Sequence, residues 1–106
     1  MVSIEDFRKL EFKVAEIKEV NDHPNADRLY IITVDLGDKT KQVVAGIKTS
    51  YIKEDLVGKQ VVLVDNLEPA LLRGVESQGM ILAAADEAGI AIISPEKKVR
   101  LGSIVK

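Results

Sequence analysis

The sequence predicts an all-β fold, a five-stranded barrel with short helices and a C-terminal β extension. Three observations carry that expectation. From Leu29 onward apolar and polar residues alternate, putting Tyr30, Ile32, Val34 and Leu36 on one face, the period-two signature of a half-buried strand. Val61-Val62-Leu63-Val64 is apolar on both faces, as a covered central strand is. Two polar clusters, Asn21–Arg28 and Leu67–Gly79, interrupt the apolar runs where two long connections belong. A chain of 106 residues with 46% hydrophobic content suits one domain, 1–106, with residues 86–106 as the extension.

Taken in order, Ser3 is placed to cap a short helix with Glu5 and Asp6 in its first turn and Lys9 in its last. Ile4 and Phe7 fall three apart, the spacing of a helix laid on a core. In the first strand Phe12 and Val14 share one face and Ala15 and Ile17 the other. That phase change predicts a bulge, which bends a strand so that it serves two sheets. Asn21–Arg28 is a turn cluster whose Asn and Asp bond locally and whose proline blocks helix and strand. Gly37-Asp38-Lys39 makes a hairpin into a third strand bearing Val43, Ala45 and Ile47. Thr49–Leu56 reads as a short helix capped by Ser50 and ended by Gly58. After the covered strand, Leu67–Met80 reads as a long irregular connection, with Pro69 removing a donor and Gly74 and Gly79 freeing the backbone. Such connections carry function more often than they idle. Met80–Ala85 and Ile90–Ile93 are two further apolar runs, and Val99, Leu101, Ile104 and Val105 end the chain at strand-like intervals.

Composition excludes several chemistries. With no cysteine there is no disulfide, thiolate zinc site or cysteine nucleophile. No apolar run approaches the roughly 20 residues that span a bilayer, and Met1–Asp6 is acidic where a secretory leader is basic. A cytoplasmic protein without membrane attachment is expected. The formal net charge of −2 argues against a globally basic nucleic-acid domain but leaves room for a local basic stripe. His23 is the lone histidine, so it has no histidine partner for a metal; it fits the turn around it. Ser77 lies outside any Gly-x-Ser-x-Gly elbow, and no glycine-rich nucleotide cradle is present. No catalytic residue, metal or cofactor is expected.

Five or more short strands, a bent first strand and a helix between the third and fourth match the OB-fold. That barrel binds oligonucleotides through strands two and three and the loops joining strands one–two and four–five, the places the two polar clusters occupy. With four aromatics and no tryptophan, a stacking platform for unpaired bases is missing. Lys and Arg reading backbone and shape are the more natural mechanism. Candidates are Arg28 in the first loop, Arg73 in the second, and Lys13, Lys41 and Lys48 along the sheet. Arg73 leads, because a rigid guanidinium fork suits phosphate and a glycine follows it.

His23-Pro24-Asn25-Ala26-Asp27-Arg28-Leu29, Gly46, Asn66-Leu67-Glu68-Pro69 and Arg73-Gly74-Val75-Glu76-Ser77-Gln78-Gly79-Met80 resemble the tRNA-binding domain of methionyl-tRNA synthetases and of free-standing tRNA-binding proteins. The resemblance spans Phe7 to Gly102. It implies a non-catalytic OB-fold homodimer that holds the outside corner of L-shaped tRNA without reading sequence and assists a methionyl-tRNA synthetase catalytic subunit. It also adds Ser77, Gln78 and Met80 to the RNA-binding set. The family often has a basic residue where this chain has Leu71 and a glycine where it has Ala15, so one phosphate contact is expected to be missing. A dimeric secretion chaperone on the same fold, binding unfolded polypeptide, is the alternative; the two motifs disfavour it.

Overall fold

In the computed structural model, which describes residues 1–106, Ser3 Oγ accepts from Asp6 N at 3.1 Å and caps α1 (Ile4–Phe7). Arg8 closes the helix, and Lys9, just beyond it, pairs with Asp6 at 3.0 Å. The core-facing stripe expected of α1 does not form: Ile4 and Phe7 are both exposed. Four residues are too few to present a continuous stripe, and Phe7 instead packs on Phe12 with ring centroids 5.5 Å apart.

β1 (Phe12–Asp22) is the strand the barrel turns on. Its first half pairs with β4 (Gln60–Val64), from Phe12↔Val64 to Glu16↔Gln60. Its second half pairs with β2 (Tyr30–Asp35), ending at Asp22↔Tyr30. Between Ile17 and Glu19 the register slips, so the bulge falls later than the apolar phase change indicates. One extra residue inverts the alternation, which is how Ala15 and Ile17 before the slip and Val20 after it reach the same core. Asn21 and Asp22 still belong to this strand, so the polar turn starts only at His23.

β2 runs through the predicted hairpin into β3 (Thr40–Ala45), where Leu36 N donates to Lys39 O at 2.9 Å. Tyr30, Ile32, Val34 and Leu36 are buried, as their alternation requires. The helix expected over Thr49–Leu56 shortens to α2 (Lys53–Leu56). Ser50 does not cap it; its Oγ accepts from Ile90 N at 3.1 Å, tying the segment to the C-terminal extension. Val61 to Val64 are all buried.

The largest departure lies between β4 and β7 (Met80–Ile81). The connection is not irregular: it folds into a hairpin of β5 (Ala70–Leu72) and β6 (Val75–Ser77). The main sheet has the order β3-β2-β1-β4-β7. Residues around β6 close the remaining gap to β3: Gln78 N donates to Gln42 O at 2.8 Å, Gln42 N to Gln78 Oε1 at 2.9 Å, and Val44 N to Ser77 Oγ at 2.9 Å. The result is a nearly closed five-stranded antiparallel barrel, the OB-fold. Gly79 is needed at the seam, since a Cβ there would stand 2.9 Å from Val64 O.

Met80–Ala85 is not one buried strand. It splits after β7, and β8 (Ala83–Asp86) turns back as an exposed hairpin with β9 (Gly89–Ile92), so residue 86 lies inside this hairpin. Ile90 and Ile92 pack against the barrel core. Tyr30 Oη donates to Tyr51 O at 2.7 Å, and Tyr51 Oη accepts from Ile92 N at 3.0 Å, which links core to extension. Val99 and Leu101 are outside any strand; only Ile104–Val105 pair, as β10, with the start of β1. No helix is long and apolar enough to cross a membrane.

Candidate nucleic-acid interface

A two-residue hairpin turn of the favoured type needs positive φ at both central residues. Here they are Arg73 at φ 53° and Gly74 at φ 89°. Glycine adopts that region freely, but for an L-residue with a Cβ it costs roughly 1–2 kcal/mol. Arg73 is the one non-glycine residue of the chain with positive φ. Strain of that kind concentrates at functional positions.

The hairpin lies along β3 from its root at the barrel seam, and its tip reaches the β1–β2 loop, His23–Leu29. There His23, 5% exposed, uses both ring nitrogens. Nδ1 accepts from Asn25 N at 3.0 Å, which puts the ring proton on Nε2, and Nε2 donates to Leu72 O at 2.9 Å. Arg73 is thereby delivered beside Arg28, and the two arginines line one cleft with Ala26, Asp27 and Leu29. Neither arginine forms an ion pair. Lys48 joins them through its backbone, its N donating to Arg28 O at 3.4 Å. Its Nζ sits 6.0 Å from the Tyr30 ring centroid and 3.1 Å from Asp22 Oδ1, while Lys53 lies 3.2 Å from Asp22 Oδ2. Hydrogen bonds from Lys48 and Lys53 hold the Asp22 carboxyl below its ordinary range.

Lys13 and Lys41 are elsewhere. β1 is 11 residues long, about 35 Å of contour at roughly 3.3 Å per residue, with Lys13 at its start and Asp22 at its end. At the Lys13 end stands Asp65, 5% exposed on its side chain, with Lys13 3.0 Å from Oδ2 and Lys39 3.7 Å from the same oxygen. Lys41 Nζ is 2.6 Å from Oδ1 and donates to the backbone O of Asp65 at 2.7 Å. Burial is the largest influence on the Asp65 carboxyl and pushes its pKa up. The hydrogen bonds and charges of Lys41 and Lys13 together outweigh it, so the group is held below the usual carboxylate range. The hydrogen bond to Asp65 raises Lys13 in turn.

The remaining candidates divide. Ser77 is buried, and its hydroxyl accepts from Val44 N and donates to Gly79 O at 3.0 Å. Gln78 is bound to Gln42 through backbone and side chain. Met80 is exposed and lines an apolar groove beside the β5–β6 hairpin with Leu67, Ala70, Leu72 and Ile81. Leu71 is 73% exposed on β5, so a basic residue there would stand in solvent. Tyr30 is buried, as an aromatic of the core rather than a stacking platform. No group of three or more His, Asp or Glu side chains is placed to hold a metal. Two residues of the site escaped sequence reasoning, Asp65 as a lysine anchor and His23 as a bridge to Leu72. The only signal was their type at the ends of motifs; their partners are remote in sequence.

Comparison with known proteins gives the chain's family and fold. The family described as "Putative tRNA binding domain" matches residues 12–104. A methionine–tRNA ligase of Thermococcus kodakarensis is 55% identical over 105 residues, 99% of this chain but 14% of that protein's length. Among solved structures, a MetRS-related protein of Pyrococcus horikoshii superimposes with a TM-score of 0.92 at 32% identity, covering 100% of this chain and 98% of that one. A CsaA chaperone protein of Picrophilus torridus gives a TM-score of 0.93 at 28% identity, with 100% of both chains covered. On sequence and fold, the chain belongs to the tRNA-binding domain family.

Proposed function

We propose that the chain is a non-catalytic, structure-specific tRNA-binding module of the cytoplasm that assists methionyl-tRNA synthetase by holding the corner of tRNA. The observation that carries this reading is the pair Arg28 and Arg73, two arginines free of ion pairs in one cleft, one of them kept in a strained turn. Guanidinium forks in one cleft suit the phosphates of a folded backbone, and Lys48, just past the end of β3 and paired with Asp22, stands beside Arg28. Lys13 and Lys41 are left out of the RNA-binding set in this reading, because both are paired with Asp65. Ser77 and Gln78 hold the seam from which the hairpin projects. The test is gel-shift competition between folded tRNA and the same tRNA heat-unfolded. Folded tRNA is expected to win, and equal competition would overturn the reading.

The active unit in this reading is a homodimer. Ile90 and Ile92 fold back on the barrel, but Ile93, Val99 and Ile104 of the extension, and Ile4, Phe7 and Leu10 near the N-terminus, stay exposed. A second copy related by a two-fold axis would cover such surface and present two cationic clefts to one rigid tRNA. Light scattering at micromolar concentration is expected to report two chains. One chain would refute the dimer.

A second reading, a chaperone for unfolded polypeptide, has the groove around Leu67, Leu72 and Met80 in its favour. Suppression of aggregation of a denatured enzyme, together with no tRNA shift, would select it.

A further inference from the structure

We infer that His23 is the positioning residue of the RNA site: it tethers the tip of the β5–β6 hairpin to the β1–β2 loop and so sets Arg73 against Arg28. The inference rests on the tRNA-binding reading above and adds to it a residue that need not touch RNA.

The hairpin is secured at its root, where Glu76, Ser77 and Gln78 bond to Gln42 and Val44 of β3. Toward the tip the fastening thins. Apart from the pairing of β5 with β6, the bond from His23 Nε2 to Leu72 O is the only hydrogen bond joining Ala70–Val75 to the rest of the chain. A two-stranded hairpin is marginal in water by itself, and Leu71 and Leu72 on β5 are both exposed. One distal bond therefore decides whether Arg73 has a fixed place.

His23 suits that task because its two nitrogens do different work. Nδ1, accepting from Asn25 N, ties the imidazole to the turn that carries Ala26, Asp27 and Arg28. The same bond fixes the tautomer, so the proton on Nε2 is available to Leu72 O one residue before Arg73. His23 is buried, which shields its bonds from competing water. Loop and hairpin are registered through a single planar group, and a bidentate grip on phosphate is lost with small displacements of either arm.

Glutamine and asparagine separate the two bonds. The amide nitrogen of glutamine reaches roughly the place of Nε2 and donates; the amide oxygen of asparagine takes roughly the place of Nδ1 and accepts. The experiment measures tRNA affinity by gel shift, and amide hydrogen exchange of Leu72 to Val75, in the unaltered chain and in His23→Gln, His23→Asn and Arg73→Ala. Expected are fast exchange at the tip and roughly ten- to hundredfold weaker binding for His23→Asn, similar to Arg73→Ala, with His23→Gln recovering both. A tip that stays protected in His23→Asn overturns the inference, as does a freed tip with undiminished affinity. So does His23→Gln failing to recover, which also decides the matter should His23→Asn not fold. If Arg73→Ala binds tRNA as well as the unaltered chain does, the RNA reading of this cleft fails and the positioning role for RNA fails with it. The exchange data then report separately whether His23 holds the tip.

Discussion

At one end of the barrel Lys13, Lys39 and Lys41 converge on the buried Asp65, while at the other Arg28 and Arg73 share a cleft without a carboxylate in ion-pair contact. The lysine end resembles a core: its central charge is almost fully buried, and its hydrogen bonds reach the backbone of β4's end. The arginine end pays for an exposed, unpaired cation with a left-handed residue. Surface charge beyond about 8–10 Å is screened at physiological salt, so the two ends act separately despite sharing one small barrel. A count of cations along a sheet therefore says little about function. A cation committed to a buried carboxylate contributes to stability, and one left without a partner is available to a ligand.

The largest effect is expected at Asp65. Asp65→Ala leaves Lys13 and Lys41 facing each other at a partly buried site. Removing one partner of a buried pair costs about 3–5 kcal/mol, and partial exposure of the two lysines lowers that to on the order of 3 kcal/mol. For a chain of this size the melting midpoint should fall by roughly 10 °C or more; an unchanged midpoint would detach the lysine end from stability. Next comes Arg73→Ala, which should weaken tRNA binding by about 1.5–3 kcal/mol while the chain still melts cooperatively. Arg73→Gly sharpens the contrast. It should weaken binding as much, yet raise stability by about 1 kcal/mol by relieving the strained φ; chemical denaturation read beside a gel shift checks both signs.

The smallest effect is acid sensitivity. Asp65 and Asp22 both have folded-state pKa values below the ordinary 3.8. Their contribution to stability is complete above that ordinary value and is lost as pH falls through the lower folded values, because the unfolded chain takes up protons first. Denaturant midpoints should therefore decline below about pH 4, and Asp65→Asn should flatten the decline. An equally steep decline in Asp65→Asn would remove Asp65 from the explanation.

Much of the fold is legible in the sequence because its strands obey local rules. The alternation from Tyr30 to Leu36 and the all-apolar Val61–Val64 both predict their burial. Three elements mislead, each for its own physical reason. Ser50 reads as a helix cap but bonds Ile90, 40 residues on. Leu67–Gly79 looks irregular because the Arg73-Gly74 turn departs from the Asn-Gly and Asp-Gly pairs that advertise a two-residue hairpin. Ile4 and Phe7 have helical spacing without enough helix to use it. For the site, Arg28 and Arg73 are legible as arginines in the two long loops. That they meet, and that Asp65 gathers Lys13 and Lys41, depends on the curl of the barrel, which spacing alone does not encode.

The central claim, that the arginine end binds RNA and the lysine end holds the fold, is tested most directly by the salt dependence of tRNA affinity in two double variants. Each phosphate neutralised contributes about 0.7–0.9 to the slope of log affinity against log salt, so the unaltered protein should show a slope on the order of three to five. Arg28→Ala with Arg73→Ala should lower that slope by roughly 1.4–1.8 for each cleft that binds. Lys13→Ala with Lys39→Ala should leave the slope in place while lowering the melting midpoint. The opposite pattern, with the slope lost from the lysine pair and kept without the arginines, would contradict the account.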